Sequence, residues 1–455
     1  MKRLKKITSI VLAIAMVVTL MAVSPSTNAD AAVKFFYGKK LTINVGKKDT
    51  IAVKGKAKFT SSNKKIATVS KKGTVKGKKP GTCKITVRVG SSKATSTVKV
   101  LPAKVTIRSA ALTSVSTAKV TWKKQKNVAG YYVYRSTSPK SGFKKVATIK
   151  GYKKTSYVSA GLAAGYKYYF KVKAYAKAGK KKLTSAKYSD VMSVKTWKLV
   201  WNDEFSGTAL DSRKWNNNGA TGAGGYGNQE LQNYQMQYSE VKNGNYIIKP
   251  QFQWDTTTKS IVKNSVYSTK VWTRGLYAVK YGKIEFRAKM PKGQGTWAAA
   301  WMLGVNNSWP LCGEIDVLET TKDPTKTIMP QSIHCARFNG MPTSPGNKYK
   351  NTFVKDATSA YHTYGIIWDE QTIQFTIDGR TTWTYDPDNY KASGDGNTDI
   401  NIWPFNQPFY LILNCAMGGV LGGNITPNYW TKIATNGNIE TYQDYYYIDW
   451  VRVSQ

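Results

Sequence analysis

Apolar and polar residues alternate with a period of two in short runs along most of the chain. Leu41-Thr-Ile-Asn-Val45, Lys84-Ile-Thr-Val-Arg-Val89 and Ser96-Thr-Val-Lys-Val100 follow this pattern, with glycine-containing breaks between runs. Successive side chains of a strand point to opposite faces, so such alternation predicts half-buried β-strands of a sandwich. Residues 104–196 repeat the style with other landmarks: Val120-Thr-Trp122, Tyr131-Tyr-Val-Tyr134 and a tyrosine-rich run from Tyr166 to Tyr175. They read as one seven-strand sandwich of about 90 residues. Further on, Gly295-Thr-Trp-Ala-Ala-Ala-Trp-Met-Leu303 predicts a strand with Trp297 and Trp301 on one face and the small Ala298 and Ala300 on the other.

Composition divides the 455 residues sharply. The formal charge is +44, and residues 1–196 hold 45 Lys+Arg against 3 Asp+Glu, while residues 197–455 hold 24 against 22. Tryptophan divides the opposite way, with Trp122 alone in the first part and 13 in the second. The acids and indoles that could act on a ring-shaped ligand therefore lie almost wholly after a boundary near residue 197. With 29 Tyr and 14 Trp the chain is too aromatic to be disordered throughout. Beyond residue 23 no apolar stretch approaches the length of a membrane span.

The first residues read as an export signal over 1–31. Lys2, Arg3, Lys5 and Lys6 precede an uncharged run from Ile7 to Val23, and Ala29-Asp30-Ala31 supplies small residues for cleavage. The expected product is secreted, in place at the cell wall or free of it, and not held in a membrane once cleaved. Cys83, Cys312, Cys335 and Cys415 remain, too few for a disulfide scaffold and without zinc spacing. The last three read as buried small residues.

The candidate chemistry lies in Trp309-Pro-Leu-Cys-Gly-Glu-Ile-Asp-Val-Leu-Glu319. Glu314 and Asp316 share a face of a strand, and Ile315 and Val317 take the other. Strict alternation would turn Glu319 away, but one extra residue in a β-bulge brings it back. Leaning side chains then close Cα atoms roughly 13 Å apart to a carboxyl separation of about 5 Å. That suits a retaining glycosidase, in which one carboxylate attacks and the other is acid, then base. A metal site or a solvated acidic face remains open from these residues alone.

Glu314-Ile-Asp-Val-Leu-Glu319 resembles the signature of glycoside hydrolase family 16 in the bulged form of its laminarinase branch. Trp201-Asn-Asp-Glu-Phe205, Gly227-Asn-Gln-Glu-Leu-Gln-Asn-Tyr234, Tyr281 to Pro291, Trp368 to Gly379 and Pro408 to Gly419 resemble other motifs of that family, in its order. The resemblance covers 197–455 and implies a β-jelly-roll sandwich crossed by a glucan cleft. It implies Glu314 as nucleophile, Glu319 as acid/base, Asp316 as helper, and Trp297, Trp301, Asn228, Glu230, His334 and Asn414 along the cleft. It further implies a structural Ca²⁺ held by Glu204, Gly244 and Asp449, with no cofactor for catalysis. His362 reads as structural. Departures at Thr320-Thr321 and Cys335-Ala336-Arg337 bear on linkage preference. Residues 33–103 resemble a bacterial immunoglobulin-like domain of group 2, and 104–196 a fibronectin type III domain. The fold class is thus all-β, with two small N-terminal immunoglobulin-like sandwiches before the catalytic domain.

The expected function is a secreted, monomeric endo-β-1,3-glucanase acting on laminarin-type glucan. Mixed-linkage β-1,3-1,4-glucan hydrolysis is the alternative, and a non-catalytic glucan-binding surface protein is the contrast from another class. The N-terminal excess is almost all lysine, without arginine forks or a nucleic-acid motif, so nucleic acid is not expected. Anionic cell-wall polymers are the candidate partner for a diffuse lysine surface, and a solvated, repulsive spacer that keeps the sandwiches soluble is the alternative.

Overall fold

The computed structural model describes residues 33–179, 181–217, 223–321, 328–342, 344, 346–390 and 399–455. The expected export signal, 1–31, lies outside the described residues. The chain divides into two compact units, Met1–Lys195 and Thr196–Gln455. Among the described residues no helix is long and apolar enough to cross a membrane.

The first unit holds two small sandwiches. In the first, Lys40–Asn44, Ser92–Leu101, Gly81–Val89 and Ala57–Ser61 form one sheet, and Lys48–Thr50, Thr74–Gly77 and Ala67–Val69 another. The alternation seen in the sequence is the reason: Leu41, Ile43, Ile85, Val87, Val98 and Val100 all point into one core. In the second, Ile107–Ser114, Thr117–Trp122 and Ser156–Ser159 face a sheet of Lys144–Lys150, Gly130–Ser136, Lys167–Ala178, Lys181–Thr184 and Met192–Lys195. Both of the last two strands pair with Lys167–Ala178, so the closing strand of the expected seven is interrupted. Trp122, Tyr131, Val133, Phe170 and Val172 fill its core.

The second unit is a jelly-roll sandwich of two large antiparallel sheets, with a third sheet of Asn233–Tyr234, Tyr267–Ser268, Gln251–Asp255, Ile439–Gln443 and Thr431–Asn436 beside them. One runs in the order Lys270–Trp272, Phe409–Met417, Thr296–Gly304, Glu314–Glu319, Ile328–His334, Lys348–Phe353. The other contains Tyr446–Ser454, Gly282–Lys289, His362–Trp368 and Ile373–Ile377, with Leu199–Asp203 also paired to Tyr446–Ser454. Ala298, Ala300, Met302, Ile315, Val317 and Leu318 meet Ile284, Phe286, Ile366 and Val451 in the core between them. All four cysteines are buried free thiols.

The acid-bearing strand contains the expected bulge. Glu319 lies opposite Ala299 and Leu318 opposite Ala300, but Asp316 lies opposite Trp301, so Val317 is the extra residue. Val317 and Leu318 are both fully buried. Each contributes roughly 1.5–3 kcal/mol on burial. A register slip would expel one of them and turn Glu319 inward, so the apolar pair fixes the bulge. Glycines let the chain lead into this strand: a Cβ on Gly304 would sit 2.0 Å from the Cys312 carbonyl oxygen. Gly313 adopts φ +75° beside Pro404 and Phe409.

Candidate active site

Register across the sheet places the functional side chains on its outer face. Glu314, Asp316 and Glu319 lie opposite Leu303, Trp301 and Ala299, which alternate along one strand and so share a face. Ser332 lies opposite Asp316 and His334 opposite Glu314. On the other side Asn414 lies opposite Ala299, and Lys270 opposite Asn414. The neighbouring strand turns Ala298 and Ala300 to the core, leaving Trp297 and Trp301 on the acid side.

Each acid is held by a specific donor. The Trp309 indole donates to Glu314 Oε2 at 2.7 Å, and the Trp297 indole to Glu319 Oε1 at 3.0 Å. The Ser332 hydroxyl donates to Asp316 Oδ2 at 2.6 Å and also lies 3.3 Å from Glu319 Oε2. His334 Nε2 lies 3.3 Å from Asp316 Oδ2. Asp316 is 2 % exposed, and its place on the strand lies between the two glutamates.

Burial and mutual repulsion set the protonation states. Burial, then the neighbouring Asp316 charge, pushes Glu314 up to about 8. The same causes in the same order push Glu319 well above the carboxylate range. Both carboxyls are thus driven toward holding a proton, because neighbouring charges in a buried site cannot both ionise freely. Burial works against protonation of His334, but its hydrogen bond to Asp316 and the charges of Glu314, Asp316 and Glu319 outweigh it and raise the ring to about 10. His334 is thus an imidazolium that favours the ionised form of both glutamates.

One atom each of Glu314, Asp316 and His334 falls within 4.8 Å of the others, close enough for a metal ion. In this structure His334 Nε2 lies 3.3 Å from Asp316 Oδ2, and Glu314 accepts from the Trp309 indole.

His334→Gln is expected to move the bell-shaped pH profile of kcat/KM to higher pH by about one unit. Loss of the positive ring raises both glutamates, so the limb set by Glu314 ionisation and the limb set by Glu319 deprotonation both move upward. An unmoved or acid-shifted profile, measured beside the wild type, would contradict the role given to His334.

The remaining cleft residues adjoin the acids on one side. The Trp301 indole donates to Asn414 Oδ1 at 2.7 Å, and Asn414 Nδ2 to the Tyr234 hydroxyl at 2.9 Å. Asn228 and Gln232 donate to the two oxygens of Glu230, at 3.2 and 2.8 Å. Glu230 bridges to Gly418, just past the Asn414 strand. Sequence reasoning missed Trp309, Ser332 and Lys270. Ser332 precedes His334 by two on one strand, and that spacing could have found it. Lys270 is 6 % exposed, with Nζ 4.3 Å from the Tyr226 ring and 5.0 Å from that of Trp301. Burial pulls it down to about 8. Only sheet register brings it here.

The expected metal ligands lie elsewhere. Glu204 follows Leu199–Asp203 and Asp449 lies in Tyr446–Ser454, both on the opposite sheet. Arg452 donates to both Glu204 oxygens at 2.8 Å, which holds that carboxyl below its usual range, and Arg287 pairs with Asp449. Gly244, at φ 72°, turns the hairpin between Ser239–Lys242 and Asn245–Ile248. Because guanidinium groups already neutralise both acids, this set does not fit Ca²⁺ as it stands. His362 bridges Asp356 and Asp378 at 3.0 and 2.8 Å, the structural part expected of it.

The family model for glycosyl hydrolases family 16 matches residues 232–452. Models for the bacterial Ig-like domain (group 2) and the fibronectin type III domain match 17–100 and 102–190. A glucan endo-1,3-beta-glucosidase A1 of Niallia circulans is 34% identical over 247 residues, 50% of this chain and 35% of its own length. The chain thus spans about a third of that relative. A beta-glucanase of Rhodothermus marinus is 32% identical over 237 residues, 50% of this chain and 78% of its own length. The solved laminarinase of Rhodothermus marinus is 30% identical, with a TM-score of 0.47, covering 57% of this chain and 97% of that one. Sharing 32% identity with a relative it covers to 78%, in the region that bears the bulged acid strand, the chain belongs to glycosyl hydrolases family 16.

Proposed function

We propose that the chain is an exported endo-acting β-1,3-glucanase that works by double displacement. The observation that carries this reading is the bulge at Val317, which sets Glu314, Asp316 and Glu319 on one face. Glu319 gives its proton to the glycosidic oxygen while a Glu314 oxygen attacks the anomeric carbon. The carbon–oxygen bond to the departing chain breaks, and a glycosyl ester forms on Glu314. Glu319, now a base, takes a proton from water, which attacks the same carbon and frees Glu314. Two inversions leave the configuration unchanged.

Asp316 helps as a buried neighbour of Glu314, and Ser332 and His334 hold Asp316 in place. Two carboxyl groups supply both nucleophile and proton, so the chemistry needs no cofactor. Trp297 and Trp301 offer indole faces to the sugar rings, which are themselves apolar on their faces. Relatives named as endo-1,3-beta-glucosidases support β-1,3-glucan as substrate. Both glutamates are in place, which argues against a glucan-holding scaffold without turnover. The export signal expected over 1–31 supports a place outside the cell, where the lysine-rich N-terminal unit would meet anionic wall polymers.

Reducing-sugar release from laminarin, curdlan and barley mixed-linkage glucan tests the substrate. Laminarin is expected to be cut at least about tenfold faster than barley glucan in kcat/KM. Faster cleavage of barley glucan would transfer the assignment to mixed-linkage hydrolysis, and cleavage of neither would remove it.

A further inference from the structure

The second N-terminal sandwich carries a surface that the catalytic reading leaves unused. In its larger sheet Tyr131, Val133, Phe170, Val172 and Ala174 point to the core. Their neighbours therefore point outward: Tyr132 and Tyr134 on one strand, Lys171 and Lys173 on the next, with Tyr175 on the same side but covered by Tyr132 and Lys182. Tyr132 lies opposite Lys173, and Tyr134 opposite both Lys171 and Lys145. Tyr132 and Tyr175 stack with centroids 4.5 Å apart, and Tyr134 meets Tyr188 edge-on at 5.0 Å.

Lysines ride on these rings. Lys171 Nζ sits 3.7 Å from the Phe143 centroid and 4.0 Å from that of Tyr188. Lys173 lies 4.1 Å from Tyr188, and Lys145 5.0 Å from Tyr132. Among the described residues no carboxylate forms an ion pair with them. Between residues 33 and 195 the only acids are Asp49 and Asp190, and Asp190 is taken by Lys104 at 2.6 Å. The rings fix where the ammonium groups stand, which lowers the entropy cost of meeting a ligand. Burial, and second to it the neighbouring Lys173, pull Lys171 below its ordinary value.

We propose that this tyrosine–lysine face is a binding site for an acidic polysaccharide, a polymer of sugar rings bearing carboxylate or phosphate groups. The proposal rests on reading the basic unit as a holder of wall polymers, and assigns that role to one face. Charge complementarity selects an anion. A row of separate ammonium points without arginine forks suits anionic groups strung along a chain, since lysine engages them as point charges. Tyrosyl hydroxyls beside the cations add donors for sugar oxygens.

The test uses the full chain and immobilised polygalacturonate at about physiological salt, read by biolayer interferometry. The variant K145Q/K171Q/K173Q/K182Q removes four charges from this face, Lys182 standing 6.0 Å from the Tyr175 ring. The variant K47Q/K48Q/K64Q/K65Q removes four from the other sandwich. The face variant is expected to bind at least about tenfold more weakly, and the control to change less than about twofold. Tyr188→Leu, which removes the ring beneath Lys171 and Lys173, is expected to weaken binding several-fold with all lysines kept. Equal losses in the two lysine variants, or no loss in the face variant, would overturn the proposal. So would equal binding of single-stranded DNA of matched charge, or of neutral laminarin, at this face. Laminarin hydrolysis is measured on every variant and is expected to be unchanged, so failure of the enzymatic reading is seen separately.

Discussion

Glu314→Gln is expected to lose at least about 10⁴-fold in kcat on laminarin while the protein melts no lower than the wild type. Glutamine keeps the shape and can still accept the Trp309 indole hydrogen, so the 2.7 Å contact has a successor. It cannot form the glycosyl ester. The stability half follows from the direction of the pKa. Glu314 is raised from its ordinary 4.5 to about 8 by burial and by Asp316, so the folded state holds this proton more tightly than the unfolded chain. Stability from this group is present below pH 4.5 and is lost as pH rises through 8. Glutamine never ionises. The melting temperature of the variant should therefore exceed that of the wild type increasingly as pH rises from about 5 to 9. Near-normal turnover, or a variant that melts below the wild type at pH 9, would count against the nucleophile and its buried setting.

Glu319→Ala is expected to lose about 10²–10⁴-fold on laminarin, and to recover on an activated aryl β-glycoside when azide is added. An aryl oxide leaves without a proton, so Glu314 can still form the ester. Removing the side chain opens the space beside the Trp297 indole and the Ser332 hydroxyl, both of which contact Glu319. Azide can enter there and attack the ester from the face that water would use, giving a glycosyl azide of retained configuration. A folded variant with no azide rescue would remove Glu319 from the acid/base role.

Much of this site was legible in the sequence because period-two alternation fixes which residues share a face. Glu314 and Asp316 two apart, and Trp297 and Trp301 four apart, needed no further information. Glu319 needed one irregularity, and the buried Val317 and Leu318 show why it occurs there. Trp309 was hidden because its contact with Glu314 comes from a loop that alternation does not describe. Lys270 was hidden because it joins the site only through pairing with the strand of Asn414, far along the chain. Glu204 and Asp449 fared differently. Their chemistry suits a hard cation, but the sequence does not show that Arg452 and Arg287 neutralise them across paired strands.

The central claim is that Glu314 and Glu319 act in turn on one anomeric carbon. Proton NMR of laminarin hydrolysis, followed from the first minutes before mutarotation proceeds, tests it most directly. The new reducing end is expected to appear first as the β anomer and to drift to the equilibrium mixture. An α anomer appearing first would mean a single displacement by water and would contradict the account.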